Sequence, residues 1–370
     1  MNRAPNRRIA LAHDWLVGLR GGERVLDRLA HLFGPTDIYT LVQNGLPLTD
    51  AIARCTVITS RLQHLPGAAG KWRRHYLPLM PSAVRGLRVQ PCDLLISTSS
   101  AVMKSIRPPT GVPHLCYCHA PARYIWDQTG DYGHGSGALT RVIGLNMVRS
   151  RFQRWDRKTA AGVTKFLANS RHTAERIKRC YDRDAEVLYP PVRTEFFAPD
   201  ERTPREDWLL VVSALEPYKR VDVAIEACNR ARLPLKVVGA GTQERLLRAA
   251  AGPSVQMLGR VDDQSLRNLY RRARALIFPQ VEDFGIIAAE AQACGCPVIA
   301  FAGGGAMEIL SDRTSVFFHE QSADSLLEAI GRLDAARIDP CDCRARALRF
   351  SESSFDAAMV RIVNEMLAPA

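Results

Sequence analysis

No stretch of this 370-residue chain has the length and apolar continuity of a membrane span. The longest uncharged run, Ala291 to Met307, is broken by Gly295, Pro297 and Gly303-Gly304-Gly305, whereas a spanning helix needs about 20 apolar residues. The opening Met1 to Arg8 is basic, but the Ile9-Ala10-Leu11-Ala12 run behind it is too short for a signal-peptide core. Ten cysteines include the pairs 116/118, 294/296 and 341/343, yet this spacing is not that of zinc sites, which use wider gaps and further His or Cys partners. Buried free thiols in a reducing cytoplasm are expected, and no metal. No internal repeat, low-complexity tract or nucleic-acid-binding module is recognisable. An apolar content of 46% and a charged content of 24% describe an ordinary soluble protein, long enough for two domains with substantial cores.

Acidic residues are scarce in one half only. Residues 1–200 carry 29 Lys and Arg against 15 Asp and Glu, a balance of +14; residues 201–370 carry 21 against 23, or −2. Within the first half, Arg61, Lys71, Arg73, Arg74, Arg85 and Arg88 are nearly unopposed, with Trp72, Tyr76 and Leu77 among them. A second cluster, Arg141, Arg149, Arg151, Arg154, Arg157 and Lys158, falls on an expected amphipathic helix with Leu139, Val142, Ile143, Val148, Phe152 and Trp155. An anionic membrane surface or lipid-pyrophosphate acceptor is the leading explanation, ahead of a solvated basic face and of nucleic acid.

Apolar β-branched runs alternate with helical patterns, which predicts α/β architecture with parallel sheets. The expected strands are Ile9–Ala12, Asp37–Leu41, Leu94–Ser97, His114–Cys118 and Lys165–Ala168, then Trp208–Ser213, Leu235–Val238, Val255–Leu258, Ala275–Phe278 and Val298–Phe301. Leu188 to Val192 and the polar stretch Pro199 to Asp207 read as a hinge. Two Rossmann-like domains facing across a cleft, with ligands at the carboxyl ends of the strands, are the expected arrangement.

The segment Glu282-Asp283-Phe284-Gly285-Ile286-Ile287-Ala288-Ala289-Glu290 follows one of these strands. A helix starting at Gly285 presents free N–H groups and the positive end of its dipole to an anion, and glycine allows close approach. A carboxylate before this seat and another one turn behind it suit a ligand with hydroxyls on both sides of a diphosphate. A solvated loop with Asp283 as helix cap and an exposed Glu290 is the plainer alternative.

This segment resembles the E-x7-E motif of retaining GT-B glycosyltransferases, family 4 in particular, and the resemblance extends along the chain. His13-Asp14-Trp15-Leu16 with Gly21-Gly22-Glu23-Arg24 is a strand, a glycine turn and a helix start, but not the dinucleotide-binding Gly-x-Gly-x-x-Gly. His119-Ala120-Pro121-Ala122-Arg123-Tyr124-Ile125-Trp126 resembles the His-x-Pro-x-Arg-Tyr segment of family 4 bacterial mannosyltransferases of surface polysaccharide synthesis. Ala120 and Ala122 depart from it. Ser213-Ala214-Leu215-Glu216-Pro217-Tyr218-Lys219-Arg220 resembles the diphosphate-gripping loop, with Lys219 matching and Ala214 standing where relatives carry Arg. Asn169-Ser170, Tyr189-Pro190-Pro191, Gly239-Ala240-Gly241, Gly259-Arg260-Val261, Gly303-Gly304-Gly305 and the closing Arg349-Phe350-Ser351 match in order.

The resemblance implies an N-terminal acceptor domain, 1–197, joined by a returning helix at 351–370, and a nucleotide-sugar domain, 198–350. It implies a retaining hexosyltransferase whose donor is a nucleotide sugar, GDP-mannose first, and whose acceptor is a saccharide or lipid-linked oligosaccharide, with no cofactor and no metal. It places the enzyme in the cytoplasm, peripheral on the inner membrane face. His119 and Glu282 are the catalytic candidates. Gly21, Gly22, Lys219, Arg220, Val261, Phe284, Gly285, Ile286, Ile287 and Glu290 are the donor-binding candidates; Asp14, Arg123, Tyr124 and Trp126 are the acceptor candidates. A GT-B enzyme using a UDP-sugar, as transferase or epimerase, and a non-catalytic carbohydrate- or nucleic-acid-binding protein remain as alternatives.

Overall fold

The computed structural model describes residues 7–368 except 20, 35, 46–48, 71 and 127–137; side chains at 74, 124 and 138–148 also lie outside the description. The chain divides into two compact units, Met1–Pro191 with Phe355–Ala370, and Val192–Ser354.

Unit 1 is built on β1 (Ile9–His13), β2 (Asp37–Thr40), β3 (Thr56–Thr59), β4 (Leu94–Ser99), β5 (His114–Cys118), β6 (Lys165–Ala168) and β7 (Ala185–Val187). All pair in parallel, in the order β3-β2-β1-β4-β5-β6-β7. β1, β4 and β5 are buried throughout because helices cover both faces of a parallel sheet. On one face Val25, Leu26 and Leu29 of the helix Gly21–Phe33 pack with Phe355, Met359, Ile362 and Val363 of the helix Glu352–Leu367.

Unit 2 carries β8 (Leu209–Val212), β9 (Leu235–Val238), β10 (Val255–Gly259), β11 (Ala275–Phe278), β12 (Val298–Phe301) and β13 (Ser315–Phe318), parallel in the order β10-β9-β8-β11-β12-β13. The expected strands all form. The three that sequence reading does not find, β3, β7 and β13, are all sheet edges. β3 and β7 are three or four residues long and only half buried, so they lack the continuous apolar run that burial on both faces imposes.

The hinge expectation is half corrected. The division falls at Pro191–Val192, but 199–207 is packed onto unit 2: Glu206 N–H donates to the Arg272 carbonyl at 2.7 Å, and Arg271 Nε to that of Ala198 at 2.7 Å. Residues 192–197 also belong to unit 2, held by Arg344 donating to the Thr194 and Phe197 carbonyls at 2.6 and 2.8 Å. Cysteine burial is uneven: Cys341 is exposed and Cys55 and Cys92 are half-buried, the other seven being buried. Among the described residues no helix is long and apolar enough to cross a membrane.

Candidate active site

In a doubly wound parallel sheet the ligand cradle lies beyond the carboxyl ends of the two neighbouring strands where the winding reverses. In unit 2 these are β8 and β11. The loop after β8 carries Lys219 and the loop after β11 carries Glu282, and the two side chains, 12% and 18% exposed, form an ion pair. The Lys219 ammonium also stands 5.1 Å from the centre of the Tyr218 ring.

Glycine turns after the flanking strands fix both loops. A Cβ at Gly239 or Gly241, beyond β9, would overlap the carbonyls of Ser213 and Leu215; one at Gly304 or Gly305, beyond β12, would overlap those of Glu282 and Asp283. Gly305 N–H donates to the Glu282 carbonyl at 2.8 Å. Gly285 then turns the chain with φ +101°, and the helix Ile286–Ala293 starts from it with Ile286 and Ile287 half-exposed. The first N–H groups of such a helix have no partner within it, so this end can hold an anion. Glu290, one turn along, is buried, 3.5 Å from the Tyr270 hydroxyl. Burial, with Glu290 beside it, holds that hydroxyl well above its ordinary pKa, so it stays a donor.

In unit 1 the reversal lies between β1 and β4. His13 ends β1; its Nδ1 is 2.7 Å from Thr98 Oγ1, and burial lowers its pKa to about 4, so the imidazole is neutral near pH 7. His119 follows β5, half-buried, its N–H donating to the Ser99 carbonyl at 2.8 Å and its carbonyl accepting from Asn169 Nδ2 at 3.0 Å. The two imidazoles stand edge to face at 6.5 Å, with Tyr117 5.2 Å from His119. Gly22 lies against both: an added Cβ would come 3.2 Å from His13 Cε1 and 3.5 Å from His119 Nε2. Glycine there lets the start of the helix Gly21–Phe33 approach the pair.

The structure therefore brings Gly22 beside His119 in unit 1, with Gly21 opening the same helix, and Lys219 beside Glu282 in unit 2, where Gly285 leads into the helix that carries Ile286, Ile287 and Glu290. Several other candidates hold partners within the fold. Asp14 is fully buried, its carboxylate accepting N–H bonds from Ser100, Ala101, Val102 and Met103 at 2.6 to 3.0 Å, so it caps a turn and has no surface to offer an acceptor. The Trp126 indole N–H donates to Asp156 at 2.9 Å. Arg220 adopts φ +50° and donates to the Gln321 carbonyl at 3.1 Å, with Asp222 beside it. Phe284 is buried against Phe350 at 5.5 Å. Val261 follows the edge strand β10, half-buried. Arg123 is half-buried at the start of the helix Arg123–Trp126, and the Tyr124 side chain lies outside the described residues. His13 is not among the sequence candidates: its place at the carboxyl end of β1 is a sequence signal, but its neighbours His119 and Gly22 come from folding alone. Among the described residues no group of three or more His, Cys, Asp or Glu is arranged to hold a metal ion.

Two family models match the chain in succession, "Glycosyltransferase Family 4" over residues 20–196 and "Glycosyl transferases group 1" over residues 192–347. A D-inositol 3-phosphate glycosyltransferase of Frankia alni is 29% identical over 192 residues, 43% of this chain and 47% of its own length. A GDP-mannose-dependent monoacylated alpha-(1-6)-phosphatidylinositol monomannoside mannosyltransferase of Corynebacterium glutamicum is 32% identical over 170 residues, 41% of this chain and 45% of its own. The chain thus spans less than half the length of these curated relatives. Sucrose-phosphate synthase from Thermosynechococcus elongatus shares the fold, with a TM-score of 0.76 at 17% identity over 98% of this chain and 100% of that one. With two parallel-sheet units of this kind and successive matches from 20 to 347, the chain belongs to glycosyltransferase family 4 and has the GT-B fold.

Proposed function

We propose that the chain transfers mannose from GDP-mannose, with retention, to a saccharide acceptor carried on a lipid pyrophosphate, in polysaccharide synthesis at the inner face of the cell membrane. The observation that carries this reading is the meeting of Lys219, Glu282 and the Gly285 helix start at the reversal point of unit 2. Breaking the bond between sugar and phosphate leaves negative charge on the diphosphate and positive charge on the anomeric carbon. Lys219 and the N–H groups at Gly285, Ile286 and Ile287 stabilise the departing diphosphate, an effect worth about 3–4 kcal/mol for one well-placed donor. These fixed groups take the part a metal ion would play. Glu290 holds the ribose hydroxyls and Glu282 the sugar hydroxyls. No residue is assigned as a covalent nucleophile.

GDP-mannose as donor is supported by the Corynebacterium relative, whose name specifies it. An anionic lipid surface as partner is supported by residues 51–92, which contain no Asp or Glu but carry Arg54, Arg61, Lys71, Arg73, Arg74, Arg85 and Arg88. Trp72 and Leu79 are 56% and 47% exposed in the same segment.

The test is incorporation of labelled mannose from GDP-mannose into lipid-linked saccharide by wild type and Glu282→Ala. Transfer by the wild type that falls about a hundredfold in the variant is expected. Transfer only from UDP-sugars would overturn the donor assignment, and none from any nucleotide sugar would overturn the reading.

A further inference from the structure

Lys219 and Glu282 approach from loops that follow different strands, and glycine turns at 239–241 and 304–305 pack against the backbones of those loops at 213–215 and 282–284. Both side chains are long enough for rotation about their own bonds to break and remake the pair. Both side chains are more than four-fifths covered, so water screens their charges only in part. A nucleoside diphosphate bound at the Gly285 helix start would bring two or three negative charges to the same ammonium, and Glu282 would both compete for Lys219 and repel the ligand.

Building on the donor-site reading above, we propose that Glu282 also discriminates between donor and product, weakening the hold on the nucleoside diphosphate once the sugar has left. With a nucleotide sugar bound, the sugar hydroxyls supply donors to the Glu282 carboxylate, which releases Lys219 to the diphosphate. After transfer those hydroxyls depart with the acceptor. Glu282 then pairs with Lys219 again, as it does here, and draws the ammonium back from the diphosphate. One carboxylate thus strengthens binding of the donor and weakens binding of the product, which favours turnover. The geometry assigns this to Glu282 because it is the carboxylate paired with Lys219; Glu290 lies buried beside Tyr270 instead.

The test is calorimetric titration of GDP, UDP and GDP-mannose into wild type, Glu282→Gln, Lys219→Gln and the double variant, with melting curves to establish that each is folded. For whichever diphosphate the wild type binds, Glu282→Gln is expected to bind it about fivefold tighter and to bind the nucleotide sugar no tighter than wild type. Lys219→Gln weakens the diphosphate, and the gain from Glu282→Gln disappears in the double variant. Glu282→Ala serves as a second variant and is expected to show the same gain. If neither Glu282 variant tightens the diphosphate while Lys219→Gln weakens it, the inference is overturned and the donor site stands. If wild type binds neither diphosphate, or Lys219→Gln leaves binding unchanged, the donor-site reading fails and the inference with it.

Discussion

His13 and His114 are buried in unit 1, and burial lowers the first to about 4 and the second to about 3, the Lys104 ammonium adding to the second. Unfolded, both titrate near 6.5. Between pH 6.5 and pH 4 the unfolded chain therefore binds protons that the folded chain refuses, and stability falls as pH falls, by roughly 3 kcal/mol for His13 alone. Urea midpoints measured from pH 7 to pH 4 are expected to drop steadily, and less steeply in His114→Asn; a profile flat over this window would contradict the assigned burial. The residue scale also separates what a sequence can disclose from what it cannot. The loops that carry Lys219 and Glu282 and the helix start at Gly285 are legible from their spacing after strands and glycines. Asp14 was misread because an acid after a strand looks the same whether it faces a ligand or, as here, the N–H groups of residues 100–103, nearly ninety positions away. His13 was passed over for the converse reason: only folding brings it beside His119 and Gly22.

Among the elements, the helix Glu352–Leu367 returns the chain to the core of unit 1. It starts in the last three residues of unit 2 and from Phe355 onward belongs to unit 1. Phe355 is 2% exposed, with its ring 6.0 Å from Tyr117, which in turn lies 5.2 Å from His119. Phe355→Ala removes a buried aromatic ring and leaves a cavity, a change that costs about 3–5 kcal/mol. Chemical denaturation is expected to show that loss in the transition of unit 1, along with reduced transfer; an unchanged midpoint would show that the helix is dispensable there. Interior strands were legible from sequence because double-sided burial writes them as apolar runs. The edges β3 and β7 escaped because half their surface faces outward and polar residues are allowed. The helix start at Gly285 was legible to the residue, since its φ of +101° suits glycine and little else.

At the scale of the whole molecule, the charge surplus of +14 lies within residues 1–200 and a balance of −2 within 201–370. Part of the basic character is engaged with backbone carbonyls: half-buried Arg149 donates to that of Ile125 at 2.6 Å and exposed Arg157 to that of Cys180 at 2.9 Å, which no count of charges could reveal. The acid-free segment 51–92, with exposed Trp72 and Leu79, is the stronger candidate for a lipid surface. Sedimentation with vesicles containing phosphatidylglycerol is expected to recover the protein at low salt, with binding lost in high salt and reduced about tenfold by the pair Trp72→Ser and Leu79→Ser. Equal recovery by neutral vesicles, or no effect of the pair, would remove this surface from the account.

In the proposed donor site, unit 2 holds a nucleoside diphosphate between Lys219, the Gly285 helix start and Glu290. Calorimetric titration of GDP, UDP and ADP into wild type and Glu290→Gln, without added metal, tests it most directly. The account predicts that GDP binds, that UDP and ADP bind more weakly, and that Glu290→Gln loses at least about tenfold, the cost of one charge-assisted hydrogen bond. Absence of binding by all three nucleotides, or binding unaffected by Glu290→Gln, would contradict it.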